Sequence, residues 1–267
     1  MYKLKLDFEL ENNIVENNLN IAFSSFLKQS LEEYDNNLYE KMFVDKNKHI
    51  RKYCYCLKMK PIYRERGKTV LENNKFSVEL TSLDFNELIS FYNTFLSKYK
   101  ENKKFSLNQN AMKLTKVWLL PYKPNISDHI IIKMQSPLVV RNYTDNVQEY
   151  LSIEDDNFEE ILNKTVNRFL NDISLKDKQV QIKAIKAKRT VMSLFRFKAN
   201  ATLGVFEIRG DLKAISALSL SGIGSRVDKR GDDVDEEVDD GHDDGDKDHD
   251  ALHGHEEIGR ASCRERV

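Results

Sequence analysis

No stretch of about 18 apolar residues occurs in the 267-residue chain, which leaves no candidate for a membrane-spanning helix. The N-terminal MYKLKLDFEL alternates apolar and charged residues and has no signal-peptide core, so a soluble, cytoplasmic protein is expected. Cysteine is almost missing. Cys54 and Cys56 stand two apart in a strand-like stretch and point to one face, where a disulfide would be strained, so buried reduced thiols are expected. Histidine is as sparse, with only His49 and His129 before residue 226. There is no Walker loop and no clustered Asp/Glu pattern of a two-metal nuclease, which argues against nucleotide hydrolysis and metal-dependent cleavage. No metal and no cofactor are expected.

The charge is divided unevenly. Residues 227–267 hold 16 Asp or Glu and 6 Lys or Arg, a net of -10, which leaves 27 acidic and 36 basic residues in 1–226, a net of +9. The near-neutral total hides a basic body, and summed positive charge favours a polyanionic partner. Between Val227 and His255 large apolar side chains are almost absent, and such a segment cannot bury enough surface to offset its ordering entropy, so it is expected to be disordered. His242, His249, His253 and His255 alternate there with aspartates. Imidazole and carboxylate both ligate metals, but no spacing is that of a folded site. The terminal EIGRASCRERV resembles the translation of a DNA-sequencing adaptor, so 227–267 is set apart as a tail foreign to the fold.

Tyr2, Leu4, Leu6, Phe8 and Leu10 have the period of a half-buried strand. From 19 to 34 the period changes to that of an amphipathic helix through Leu19, Phe23, Phe26, Leu27 and Leu31; Tyr34 continues the stripe and is expected to pack in the core. Strands are predicted near 51–59 and 75–81, joined by a polar connection containing Pro61 and Gly67. A helix from Phe85 to Tyr99 follows, with Ser82 as its N-cap, and then a strand at about 111–119. The order β-α-β-β-α-β is the ferredoxin-like motif.

The second half repeats that order less regularly. HIIIKM (129–134) and PLVVR (137–141) are extended, and Ser152 and Asp155 are read as a capping box for a helix through Phe158, Leu162, Val166 and Phe169. Strands near 179–186 and 191–198 precede VFEIR (205–209). Asp211 opens a short helix that Gly222 ends, in the usual place of a left-handed cap. The acidic tail arrives where a sixth element is due. The fold class is therefore α+β, with tandem ferredoxin-like (RRM-like, RAMP) domains at 1–120 and 121–226, the second lacking its last strand.

These stretches resemble the Cas6 family of CRISPR RNA-processing endoribonucleases. The resemblance covers about 1–226 and rests on SFLKQSLEEYDNNLYEKMF, KYCYCLKM with KFSVELTSLD, SPLVVRNYTDNVQEYLSIEDDNFEEILNKTVNRFL, and GVFEIRGD leading to SGIGSR, in that order. Members typically continue GIGSR into a further glycine-rich stretch and a closing strand, and here the match stops at Arg226.

The resemblance implies metal-independent cleavage of CRISPR precursor RNA within its repeats. A ribose 2'-OH attacks the adjacent phosphate and leaves 2',3'-cyclic phosphate and 5'-OH ends; a non-catalytic repeat-RNA-binding relative is the alternative. Such chemistry needs a base, an acid and cations. By region, His49 in KNKHIRK matches the family's catalytic histidine, with Tyr39 and Lys52 as its helpers and Tyr34 behind them. His129, at the start of an apolar strand, is expected to be buried or to hold a strand-end position rather than to be catalytic. RNA contacts are expected from Arg51, Arg141, Lys183, Lys186, Lys188 and Arg189, and from Gly222, Gly224, Ser225 and Arg226, since glycine lets backbone N–H groups approach a phosphate. Taken without the resemblance, Gly222 is first a helix cap. The implied partners are CRISPR repeat RNA and Cas surveillance-complex subunits, in antiviral defense.

Overall fold

The computed structural model describes residues 1–267 apart from 17–18, 45–49, 66, 108, 125–126, 145–146, 195–196, 225–262 and 266–267. The first unit runs β1 (Tyr2–Leu10), β2 (Ile14–Glu16), α1 (Leu19–Tyr34), α2 (Asn36–Tyr39) and a π-helical turn, Glu40–Val44. It continues through β3 (Tyr53–Lys58), β4 (Pro61–Glu65), β5 (Lys68–Leu71), β6 (Lys75–Ser82), α3 (Phe85–Glu101), β7 (Lys104–Leu107) and β8 (Asn110–Pro121). Its main sheet is antiparallel in the order β3-β6-β1-β8-β7. Without β7 that is the ferredoxin-like order.

The alternation of β1 decides which face is covered. Leu4, Leu6, Phe8 and Leu10 are buried under α1 and α3, and Lys3, Lys5 and Asp7 lie on the opposite face. Phe8 stacks on Phe76 at 4.8 Å and meets Phe23 and Phe26 edge-on. Burying a side chain of that size stabilises the fold by about 1.5–3 kcal/mol. Tyr34 departs from expectation: it is 51% exposed, because the last turn of α1 runs past the edge of the core.

Ser82 is not the cap of α3. Asp84 is, accepting hydrogen bonds from the N–H groups of Asn86 and Glu87, while the Ser82 hydroxyl donates to the buried Glu87 carboxylate at 2.7 Å. The polar connection after β3 is also more ordered than predicted, since β2, β5 and β4 form a small sheet of their own.

The second unit runs β9 (His129–Met134), β10 (Val140–Thr144), β11 (Val147–Leu151), α4 (Phe158–Asp172), β12 (Val180–Leu194), β13 (Phe197–Gly210), α5 (Leu212–Ser221) and β14 (Cys263–Glu265). The three strands predicted between 179 and 209 are two long ones, which pair from Val180–Gly210 to Leu194–Phe197. The turn was placed too early because charged residues at 186–189 interrupt the apolar pattern without interrupting the ladder. Ser152 and Asp155 bond each other as predicted, through the Ser152 N–H and hydroxyl to Asp155 Oδ2, but one turn ahead of α4, which begins after Asn157.

The second sheet has the order β12-β13-β9-β14. The edge expected to stand open carries three residues of the tail, paired as Cys263 with Met134, Arg264 with Lys133 and Glu265 with Ile132. An unpaired edge offers backbone groups to any extended segment, whatever its side chains, so patterning did not single these residues out. They cover half of β9, and the closing strand stays short.

Candidate nucleic-acid interface

Helix α5 joins the two units. Asp211 caps it, accepting from the N–H groups of Lys213 and Ala214, and the Lys178 ammonium lies 3.0 Å from the same carboxylate. The hydrogen bond from Lys178 comes first among the causes that hold the Asp211 carboxyl below its usual range, with the two backbone N–H groups adding to it. At its other end the Leu220 carbonyl accepts from the Thr81 hydroxyl at 2.8 Å and faces the Cys54 thiol at 3.5 Å. Cys54 and Cys56 are buried and unbridged, as expected.

A cleft of about 800 Å³ lies along this seam, lined by Met1, Lys52, Leu83, Phe85, Lys213 and Leu220, among others. Lys52 thus opens onto the junction of the two units. Tyr39 lies before the π-helical turn, its ring 5.7 Å from that of Phe43 and packed against the first core. Desolvation by burial raises the Tyr39 pKa, and the negative charges of Glu32 and Glu40 push the same way, so its hydroxyl keeps its proton at neutral pH. His49 falls in 45–49, outside the described residues. The chain on either side of it is anchored, with Met42 buried in the first core and Ile50 packed against the second.

Arg51 does not lie on a surface. It is 3% exposed, its guanidinium 5.0 Å from the Tyr53 ring centroid, so packing takes up the charge predicted to meet RNA. The glycine loop is also buried where it is described. Gly222 ends α5 with φ +76° and ψ 177°, not in the left-handed helical region, and its N–H is given to the Leu218 carbonyl, so that donor is spent on the cap. Gly224, at φ +111°, lies where a Cβ would stand 2.7 Å from Leu138 Cδ1, so glycine serves close packing there. Ser225 and Arg226 lie outside the described residues.

The basic strand is organised by an irregularity that the sequence did not reveal. Lys183 pairs with Glu207, Lys186 with Val205 and Lys188 with Leu203, with a shift in register between Ala184 and Lys186. Residues 183 and 186 would normally face opposite sides of a strand; the bulge brings all three lysines to one face. His129, Lys133 and Arg209 share that face through the pairing of β13 with β9. Lys133 and Arg209 were missed because neither belongs to a basic run.

Arg189 pairs with Thr202 and so falls on the other face, where its guanidinium meets Asn200 at 3.2 Å and Glu154 at 3.3 Å. Arg141 stands on β10, in the separate two-stranded sheet with β11. His129 is exposed, its Nε2 2.7 Å from Glu207 Oε1, which also accepts from Arg209 at 2.8 Å. That places it at the first residue of β9, beside Glu207 and Arg209 on the surface, the strand-end position of the two expected. Its partner Glu207 is held below the usual carboxylate range, first by the hydrogen bond from Arg209. Among the described residues, a face carrying Lys133, Lys183, Lys186, Lys188 and Arg209 around the Glu207 carboxylate suits a row of phosphates.

Residues 120–229 match the family model of the C-terminal domain of CRISPR-associated protein Cas6. No curated protein matches the chain. Among solved structures the chain is similar over its whole length to a RAMP protein binding different RNA substrates, at 12% identity with a TM-score of 0.73 and all of both chains covered. It is equally similar to a Cas6-related protein from Pyrococcus furiosus, at 14% identity, TM-score 0.73, with 99% of this chain and 98% of that one covered. A Cas6 product complex matches at 12% identity and TM-score 0.57, over 84% of this chain and 95% of that one. No helix among the described residues is long and apolar enough to cross a membrane.

Proposed function

We propose that the chain is a Cas6-type CRISPR-associated protein that binds CRISPR repeat RNA and cuts it as an endoribonuclease without a metal. The observation that carries this reading is the Cas6 C-terminal domain match over 120–229. The shared face of Lys183, Lys186 and Lys188 supports it, since three lysines in register form a track for a phosphate backbone.

In this reading His49 takes the proton of the ribose 2'-OH or returns one to the departing 5'-oxygen, the role for which imidazole is suited near neutral pH. Lys52, at the seam, neutralises the phosphate as charge builds on it. Tyr39, protonated at neutral pH, serves as a hydrogen-bond donor to the attacking group or the phosphate. The products are a 2',3'-cyclic phosphate and a 5'-OH. Arg141, Arg189, Gly224, Ser225 and Arg226 are secondary candidates for RNA contact.

Cleavage of a labelled repeat RNA in EDTA by the full chain, beside His49→Ala, tests the reading. Cleavage by the first and binding without cleavage by the second is the expected result. Binding without cleavage by both would establish an RNA-holding relative, and no binding by either would remove the RNA reading.

A further inference from the structure

Trp118 is the only tryptophan of the chain, and it does not serve the core. On β8, Val117 and Leu119 turn toward the first core, while Trp118 pairs with Lys5 on the opposite, solvent-facing side of the sheet and is 44% exposed. A break in register places it there. Asp7 pairs with Lys116 and Phe8 with Leu114, so Thr115 is extra, and its hydroxyl bonds the Asp7 carbonyl at 2.9 Å.

The ring is held by its edge. The indole N–H donates to Asp7 Oδ2 at 3.0 Å, and Asp7 Oδ1 pairs with Lys5 at 3.2 Å. The Lys116 ammonium stands over the ring, 5.7 Å from its centroid. Beside it is a cavity of about 510 Å³ whose charged lining is Lys58, Lys60, Lys75 and Lys116 against Asp7 and Glu9. Lys58 and Lys60 are paired with Glu79 and Glu72, and among the described residues Lys75 and Lys116 are in no ion pair.

An aromatic face fixed at its edge, exposed on a sheet and next to a lysine-lined hollow is the chemistry that takes an unstacked base together with its phosphate. A base inside a duplex is covered on both faces and offers nothing to such a ring. We propose that this face binds one unpaired ribonucleotide, its base stacked on Trp118 and its phosphate held by Lys75 and Lys116 in the cavity. The Lys116 ammonium gives up the ring to the base and follows the phosphate, and Asp7 keeps the indole oriented throughout. The site rests on the reading that the chain handles RNA, and it adds an unpaired segment to what the second sheet holds.

A single tryptophan makes the test direct, because all indole emission reports on this site. The full chain is titrated with an oligoadenylate of eight nucleotides and, separately, with a blunt-ended, fully paired RNA duplex. Saturable quenching by the oligoadenylate and little change with the duplex is the expected result. Loss of one stacked base weakens binding roughly 5- to 150-fold, so Trp118→Leu is expected to bind the oligoadenylate that much less tightly by filter binding, and Lys75→Ala, whose ammonium lines the cavity without standing over the ring, to lose affinity while keeping wild-type emission in the free protein. Unchanged emission at saturating oligoadenylate, or equal quenching by the duplex, would overturn the site. Wild-type cleavage of repeat RNA without quenching would leave the Cas6 reading standing and remove this one; quenching by the oligoadenylate in a protein that ignores repeat RNA would do the reverse.

Discussion

The hydroxyl of Thr81, on β6 of the first unit, donates to the carbonyl oxygen of Leu220, in the last turn of α5 in the second, at 2.8 Å. The last four carbonyls of a helix have no partner within it, and here one of them is satisfied by the neighbouring unit. Thr81→Val keeps the shape and removes the donor, leaving only the weaker Cys54 thiol. A loss of about 1 kcal/mol in urea unfolding is expected. An unchanged midpoint would mean that the bond contributes nothing to joining the units.

Gly224→Ala places a methyl 2.7 Å from Leu138 Cδ1 and 3.0 Å from the Val139 carbonyl oxygen, at φ +111°. Overpacking and backbone strain together are expected to cost about 2–4 kcal/mol. Gly67→Ala is the contrast, since its φ of +82° imposes strain but nothing lies within 4 Å. The two melting temperatures, measured side by side, check the difference; a larger drop at Gly67 would contradict the packing argued for the loop.

Asp211 links stability to pH. Its folded pKa is lowered, first by the Lys178 hydrogen bond, so its contribution is present above the ordinary carboxylate range and is lost as pH falls through the folded value. Asp211→Asn is therefore expected to lower the melting temperature at pH 7 and to bring it closer to wild type under acid. Parallel curves for the two proteins at every pH would show that Lys178 and the helix N-terminus do not favour the charged form.

Much of the first unit could be read from the sequence because its strands have one buried face, and β1 announces this by strict alternation from Tyr2 to Leu10. Helix α1 was placed at 19–34 for the same reason, by its periodic Phe and Leu residues. The long hairpin was less legible: Lys186, Lys188 and Arg189 look like a loop, and the bulge at Ile185 depends on how β12 meets β13. Burial of Arg51 was invisible, since its run KHIRK reads as solvated while the chain there is drawn into the seam by Ile50. Gly222 and Gly224 were seen as special positions, and packing against Leu138 and Leu218, which belong to other parts of the fold or to the helix itself, sets what they do.

Lys183, Lys186 and Lys188 are expected to bind RNA as a set. Replacing all three with Ala should reduce the slope of log affinity against log salt by about 2–3, at roughly 0.7–0.9 for each phosphate no longer neutralised. Arg189→Ala, on the other face and engaged with Glu154 and Asn200, should change the slope by less than any one of them. Filter binding of repeat RNA over a salt series checks both, and an equal effect from Arg189 would refute the division between faces.

The central claim is that the 2'-OH of the RNA itself attacks the scissile phosphate. It is tested most directly by repeat RNA carrying a single 2'-deoxy substitution at the mapped cleavage position, incubated in EDTA with the full chain. The account predicts that the all-ribose RNA is cut to a 5'-hydroxyl fragment and that the substituted RNA is bound with similar affinity and left intact. Cleavage of the substituted RNA at the same position, or cleavage that appears only when magnesium is restored, would contradict it.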